Sequence, residues 1–285
     1  MILSPALAEA LLFQPSRGDP GPPPILEGIA GEAIELRTSD GVKIQAWWYP
    51  SEGPQSSEEA GPPRPSPAIL FLHGNAGDIS HRTTMASGFL RERLSVLLLE
   101  YRGYGGSEGS PSEEGLAADA VAGYEFLLER QGDARGIVVL GRSMGGAVAA
   151  RLAAEMPVAG VILESTFTSL YAMARILYPF LPAFLLRRLG GRFDARERVG
   201  KVHAPVLVVH GTEDEIVPIE MGKELFRVAT SSHPQWLEVP GAGHNDVFWV
   251  GGEEYFKTLG AFVRECTRGE PPEGRPAPVP ELSDP

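Results

Sequence analysis

The sequence predicts an α/β protein: a mostly parallel central sheet with helices on both faces and a small helical lid insertion. Three observations carry this. Short runs that are apolar at nearly every residue recur along the chain, and helix-length segments separate them. Hydrophobic residues make up 43% of the 285 positions, enough for one sizeable core. Strands covered on both faces read as continuous apolar runs, and the crossover helices between parallel strands supply the cover.

The elements follow in order. The opening "MILSPALAEALLF" has no basic n-region and carries Glu9, a poor signal-peptide pattern. It reads as a short helix packed on the domain, with weak contact to a membrane surface as the alternative. This N-terminal segment spans 1–21. "VKIQAWWYP" alternates as a half-buried strand does. Ser51 to Pro67, "SEGPQSSEEAGPPRPSP", is rich in Pro, Gly, Ser and Glu. It buries too little to order itself and reads as a flexible loop (51–67) joining neighbouring strands. "AILFL", "LSVLLLE", "GIVVLG", "VAGVILE" and "APVLVVHG" then read as buried strands. "GLAADAVAGYEFLLER", "GAVAARLAAEM" and "MGKELFRVA" read as the helices between them. One domain is expected over 22–266, with a lid-like insertion at 166–200 and a disordered tail at 267–285.

Composition removes several function classes. The net charge is −12, and no basic stripe exists to neutralise phosphates, so no nucleic-acid partner is expected. Arg187, Arg188, Arg192, Arg196 and Arg198 are interleaved with acids and glycines and read as a solvated face. Cys266 is the single cysteine, which excludes an internal disulfide and a cysteine-rich metal site. The expected location is therefore cytoplasmic, with peripheral membrane association as an option. No run approaches the roughly 20 apolar residues of a transmembrane helix. In "GYGGSEG" Glu108 stands where a dinucleotide loop has its last glycine, and neither a P-loop nor H-E-x-x-H occurs. No metal and no cofactor is expected.

The chemistry sits where strands end, since ligands of such sheets collect at the carboxyl edge. After "VVL" comes Gly141-Arg142-Ser143-Met144-Gly145, a match to G-x-S-x-G. A serine on a sharp strand-to-helix turn needs glycine two residues either side, because side chains there collide with neighbouring backbone. The helix that follows aims its free N–H groups at negative charge near the serine. A serine hydroxyl also needs a base, and the base an orienting acid. "APVLVVHGTEDEIVP" puts Glu213, Asp214 and Glu215 just past a strand end. "LEVPGAGHNDVFW" puts His244 on a Gly-flanked loop after another short strand. His203 and His210 bracket the penultimate strand and read as structural.

"FLHGNAGDISHR", "LLLEYRGYGGSEGSPSEEGL", "GRSMGGAVA", "LESTF", "HGTEDEIVP" and "GAGHND", within Ile69 to Arg264, resemble the single-domain serine hydrolases of the α/β-hydrolase-domain type. That branch includes eukaryotic protein depalmitoylases and bacterial relatives. The resemblance implies an α/β-hydrolase fold with Ser143 as nucleophile, His244 as base and Asp214 as acid, since "DEIVP" fits the family's D-x-x-V-P. It implies an oxyanion hole from the backbone N–H groups of Met144 and of Asn75, in the "HGNAG" loop. His73 is expected to hold that loop by hydrogen bonding. Eukaryotic members often add membrane anchors; none is expected here.

The insertion is too apolar for a solvated loop, and Pro179 and Pro182 break any single helix. Part of it should pack on the core and the rest should form a lid over Ser143. Tyr178, Phe180, Leu181 and Phe184 are its candidate substrate-binding residues. The expected partner is a small acyl ester or thioester, cleaved through an acyl-enzyme. An aminopeptidase-like peptidase or amidase is the alternative, and a non-catalytic binding module stands third.

Overall fold

A computed structural model describes residues 13–51, 66–182, 186, 192–231 and 233–268. Of the N-terminal segment (1–21), the flexible loop (51–67) and the tail (267–285), residues 1–12, 52–65 and 269–285 lie outside the described residues, as does Phe184.

Eight strands form the main sheet: β1 Glu32–Arg37, β2 Lys43–Tyr49, β3 Ala68–Leu72, β4 Ser95–Leu99, β5 Ile137–Arg142, β6 Gly160–Glu164, β7 Val206–Gly211 and β8 Gln235–Val239. Their order is β8-β7-β6-β5-β3-β4-β2-β1. Only β2 runs against the rest, pairing antiparallel with β4 on one side and β1 on the other. Among the described residues the α-helices with both ends described are α1 Thr83–Arg91, α2 Glu113–Gln131, α3 Met144–Glu155, α4 Leu170–Leu177, α5 Ala195–Val199, α6 Ile219–Val228 and α7 Val247–Arg268, the last broken at Gly252.

Every residue of β3, β4 and β6 is buried, and the pleat divides those side chains between two cores. Leu70 and Leu72 join Leu116 and Tyr124 of α2, Val148 of α3 and Leu225 of α6. Ile69 and Phe71 join Met85 and Phe89 of α1 and Phe256 and Phe262 of α7. The continuous apolar runs in the sequence are this double burial.

The 51–67 connection does not join neighbouring strands, because β4 lies between β2 and β3. The crossover through α1 returns β4 parallel beside β3, so β2 can only add to the outer edge of β4. The ends of the connection are still tied together, with the Ser66 hydroxyl donating to the Ser51 carbonyl at 2.8 Å.

The N-terminal segment enters the described structure extended. Gln14–Pro15 pairs parallel with Ala76–Gly77, and buried Phe13 meets Phe193 edge-on at 6.1 Å. In the insertion, Ser169 caps α4 by accepting from the Ala172 N–H at 3.1 Å, and α4 ends at Leu177, two residues before Pro179. Met173 and Ala174 turn inward, whereas Ile176, Leu177, Tyr178 and Phe180 are exposed. Of the arginines expected to form a solvated face, Arg187 and Arg188 lie outside the described residues, Arg196 is exposed, and the three described ones make ion pairs at the surface. Arg192 meets Glu113 of α2 at 3.7 Å, Arg196 meets Glu224 of α6 at 2.5 Å and Arg198 meets Glu155 of α3 at 3.1 Å.

After β3 the chain winds outward to β4, then crosses back to β5 and continues to β8. The winding reverses between β3 and β5, and the crevice beyond their carboxyl ends is where such sheets bind ligands. Ser143 follows β5 there, and the His73–Asn75 loop follows β3.

Candidate active site

Ser143 sits between β5 and α3 with φ 54° and ψ −117°, a left-handed conformation that a non-glycine residue adopts only under strain. The flanking glycines make it possible. A Cβ on Gly141 would lie 2.2 Å from the Gly145 carbonyl oxygen, and one on Gly145 would lie 2.1 Å from the Leu72 carbonyl oxygen. Real side chains do not fit at those distances, so the G-x-S-x-G spacing is a steric requirement of the turn. Met144 is the first residue of α3, where a backbone N–H has no acceptor within the helix.

The three sequence-predicted side chains come together in one hydrogen-bonded row. Ser143 Oγ lies 3.2 Å from His244 Nε2, and His244 Nδ1 lies 2.8 Å from Asp214 Oδ2. An ionised carboxylate only accepts, so Nδ1 carries the hydrogen and Nε2 offers a lone pair to the serine hydroxyl. The arrangement can therefore take a proton from Ser143 and hold the resulting imidazolium.

Asp214 is the carboxylate that the geometry selects from "TEDE". Burial pushes its acid constant up, but His210, His244 and the Val217 N–H outweigh that and hold Asp214 well below the ordinary carboxylate range. The Val217 and Ile216 N–H groups donate to Oδ1 at 2.7 and 3.0 Å. Glu215 does a different job: its Oε2 accepts the His244 backbone N–H at 3.1 Å.

Several residues here were not singled out from the sequence. His210, expected to be merely structural, places Nε2 2.9 Å from the Val217 carbonyl and 3.3 Å from Asp214 Oδ2. Its position at the end of β7, four residues before Asp214, was the available signal. Arg142, the second residue of the motif, donates from Nη2 to the His244 carbonyl at 2.6 Å and to Asn245 Oδ1 at 3.0 Å. Its Nε lies 3.1 Å from Glu164, which in turn accepts from the Tyr255 hydroxyl. All three are buried, and nothing in sequence spacing relates them.

The loop after β3 lies against the serine, since a Cβ on Gly74 would be 3.4 Å from the Ser143 Cβ. His73 does hold this loop. Its Nδ1 lies 2.7 Å from the Gly74 carbonyl oxygen, and its Nε2 lies 3.1 Å from Glu100 Oε1. Asn75 is gripped through its other polar groups: Gln14 N–H donates to Oδ1 at 3.0 Å, and the Tyr104 hydroxyl donates to its carbonyl at 2.8 Å. The Tyr101–Gly109 turn thus supports the site by carrying Tyr104.

The substrate-binding candidates are placed differently. Phe180 is 77% exposed and Tyr178 is 48% exposed, their rings touching edge-on at 6.2 Å, while Leu181 is half-buried. An open groove runs between α4 and α6, lined by Tyr171, Ala172, Arg175 and Ile176 on one wall and by Glu220, Met221, Glu224 and Arg227 on the other, so its floor is apolar only in part. Among the described residues no cluster of His, Cys, Asp and Glu could hold a metal ion, and no helix is long and apolar enough to cross a membrane.

A profile described as the alpha/beta hydrolase fold matches residues 67–196. An uncharacterised protein of Mycobacterium tuberculosis is 39% identical over 90% of this chain and 86% of its own length. Human alpha/beta hydrolase domain-containing protein 17B is 34% identical over 84% of this chain and 77% of its own. A Pyrococcus furiosus esterase of known structure shares the fold with a TM-score of 0.70 at 20% identity, over 89% of this chain and 97% of that one. With this sheet order, this elbow and these relatives, the chain belongs to the α/β-hydrolase family and is a hydrolase of the α/β-hydrolase-domain type.

Proposed function

We propose that the protein is a serine hydrolase that cleaves carboxylic ester or thioester bonds through an acyl-enzyme. One observation carries the reading. A strained serine at a helix N-terminus faces His244 Nε2 at 3.2 Å, and Asp214 faces the other ring nitrogen at 2.8 Å. Ser143 Oγ attacks the carbonyl carbon as His244 takes its proton. The N–H groups of Met144 and Asn75 receive the developing oxyanion. His244 then protonates the departing alkoxide or thiolate oxygen or sulfur as its bond to carbon breaks. Water, deprotonated by His244, releases the acid and restores Ser143. The chemistry needs protein groups and water alone.

The substrate class rests on the apolar character of the insertion. Tyr178, Phe180 and Leu181, with Phe184, are proposed to contact the acyl group, next to the groove between α4 and α6. The esterase among the structural neighbours fits this reading.

The test is a fluorophosphonate label together with a substrate panel. Wild-type protein should take the label on Ser143, and Ser143→Ala should not. Nitrophenyl esters and acyl-thioesters should turn over faster than aminoacyl amides. Preference for the amides would make it a peptidase, and absence of both labelling and turnover would reduce it to a binding module.

A further inference from the structure

We propose that residues 13–18 form a strap that positions the oxyanion hole, with Phe13 as its anchor. The strap ties the loop carrying Asn75 to the turn carrying Tyr104. The proposal rests on the serine-hydrolase reading and deepens it.

Pairing in the main sheet stops short of this loop. β3 pairs with β4 and β5 as far as Leu72, which lies opposite Leu99 and Gly141. Asn75, whose N–H is the second oxyanion donor of the proposed mechanism, comes three residues later. Its backbone therefore needs partners from elsewhere. Gln14–Pro15 supplies them by pairing parallel with Ala76–Gly77. Beside that pairing the Gln14 N–H donates to Asn75 Oδ1 at 3.0 Å. Gly74 lies against Ser143, so any shift of the loop moves the donor relative to an attacked carbonyl.

The same segment holds the neighbouring turn. The Gly105 N–H donates to the Ser16 carbonyl at 2.8 Å, and the Gly18 N–H donates to the Gly105 carbonyl at 3.0 Å. Tyr104, next to Gly105, donates its hydroxyl to the Asn75 carbonyl at 2.8 Å. These contacts close a ring through Gln14, Asn75, Tyr104, Gly105 and Ser16. Each member is fixed from two directions, and the Asn75 peptide is held against rotation while the ring stays closed. A pairing two residues long is marginal by itself in water. Phe13 keeps it down, buried and edge-on to Phe193 at 6.1 Å. Phe193 is itself tied, its N–H donating to Glu113 of α2 at 2.6 Å, so the anchor rests on a fixed point.

The experiment compares full-length variants, with working sites counted by fluorophosphonate labelling. Phe13→Ala should lower kcat per labelled site on the order of 10²-fold, the usual cost of a misplacement of about 1 Å, with KM changed only a few-fold. The label should still reach every chain. The acid limb of the pH–rate profile should stay in place, because His244 and Asp214 lie on other loops. Phe13→Leu, which refills the apolar site, should recover kcat to within about tenfold of wild type. Phe13→Ala and Tyr104→Phe open the same ring, so their losses should not multiply in the double variant. A fall in labelled sites that accounts for the lost rate would overturn the proposal, as would multiplying losses or a normal kcat in Phe13→Ala. Should Phe13→Ala not fold, Gln14→Pro decides. It deletes the N–H held by Asn75 and leaves Phe13 in place, so kcat should fall likewise, and a normal kcat overturns the proposal. Ser143→Ala, assayed in parallel, separates the failures. If it stays active the serine-hydrolase reading falls, and if it is inactive while Phe13→Ala is undisturbed, only this proposal falls.

Discussion

The Arg142 guanidinium donates to the carbonyl oxygen of His244 itself, at 2.6 Å across 102 residues of sequence. The residue preceding Ser143 thus holds the backbone of His244. Its charge is balanced by Glu164, buried at the end of β6. Arg142→Lys keeps that charge and loses the fork that reaches the His244 loop. We expect kcat to fall roughly 10²-fold, since small misplacements of reacting groups cost about that much. Arg142→Met should also unfold more easily, by about 3–5 kcal/mol, because Glu164 is left buried without its partner. Melting curves beside kcat/KM separate the effects; a Lys variant with wild-type kcat would show that the contact is decorative.

Ser143→Ala should abolish nearly all hydrolysis, on the order of 10³-fold or more, in a protein that still folds. Ser143→Gly should be equally inactive and more stable than Ser143→Ala. The φ of 54° with ψ −117° strains any residue carrying a Cβ. Relieving it is worth about 1–3 kcal/mol against the smaller entropic cost of glycine. Denaturant midpoints of the two variants test this, and equal midpoints would mean that the elbow stores no strain.

Gly145→Ala should fail to form the elbow at all. Its Cβ would meet the Leu72 carbonyl oxygen at 2.1 Å, backbone against backbone, with no side chain free to yield. Loss of activity together with a melting temperature far below that of wild type is expected. An active, stable Gly145→Ala protein would refute the packing of α3 on β3.

Asp214→Asn should cost far more activity than Glu213→Gln or Glu215→Gln, because Asp214 alone of the three faces His244 Nδ1. Glu215→Gln keeps an acceptor for the His244 N–H and should be mild. Asp214 also leaves a mark on stability. Despite its burial, the bonds from His210, His244 and Val217 hold its acid constant below the ordinary value of 3.8. A depressed carboxylate contributes stability present above its unfolded value and lost as pH falls through the folded one. Between about pH 5 and about pH 2, wild-type melting temperature should therefore drop more steeply than that of Asp214→Asn. Parallel acid-side slopes would contradict it.

Phe180→Ala and Leu181→Ala should alter acyl-chain preference, with roughly 10- to 200-fold shifts in kcat/KM ratios among acetate, butyrate and octanoate esters. Phe180 is 77% exposed, so its truncation should hardly move the melting temperature. A buried core position would lose about 2–5 kcal/mol on the same change. Sharp destabilisation with unchanged preference would remove both residues from substrate binding.

By itself the sequence determined the covered parallel sheet and the glycine-flanked turn at Ser143, and it set Asp214 and His244 after that serine at the ends of later strands. These are local matters: double burial leaves unbroken apolar runs, and a turn with no room for a Cβ demands glycine at Gly141 and Gly145. It also pointed to His73 as the residue that holds the loop after β3 by hydrogen bonding. The partners on the far side of each contact were decided by tertiary structure. Glu100, Arg142, Glu164, His210 and Tyr255 gain meaning only from what the sheet order sets beside them. Arg142 reaches His244 because β5 and the loop after β8 end on the same edge of the sheet, which no spacing in a single chain encodes. The path of residues 51–67 past β4 was likewise fixed by pairing, since the crossover through α1 gives β4 the place beside β3. The exposure of Tyr178 and Phe180 follows the same rule: apolar composition makes a segment able to bury itself, and only the neighbouring elements determine whether it does.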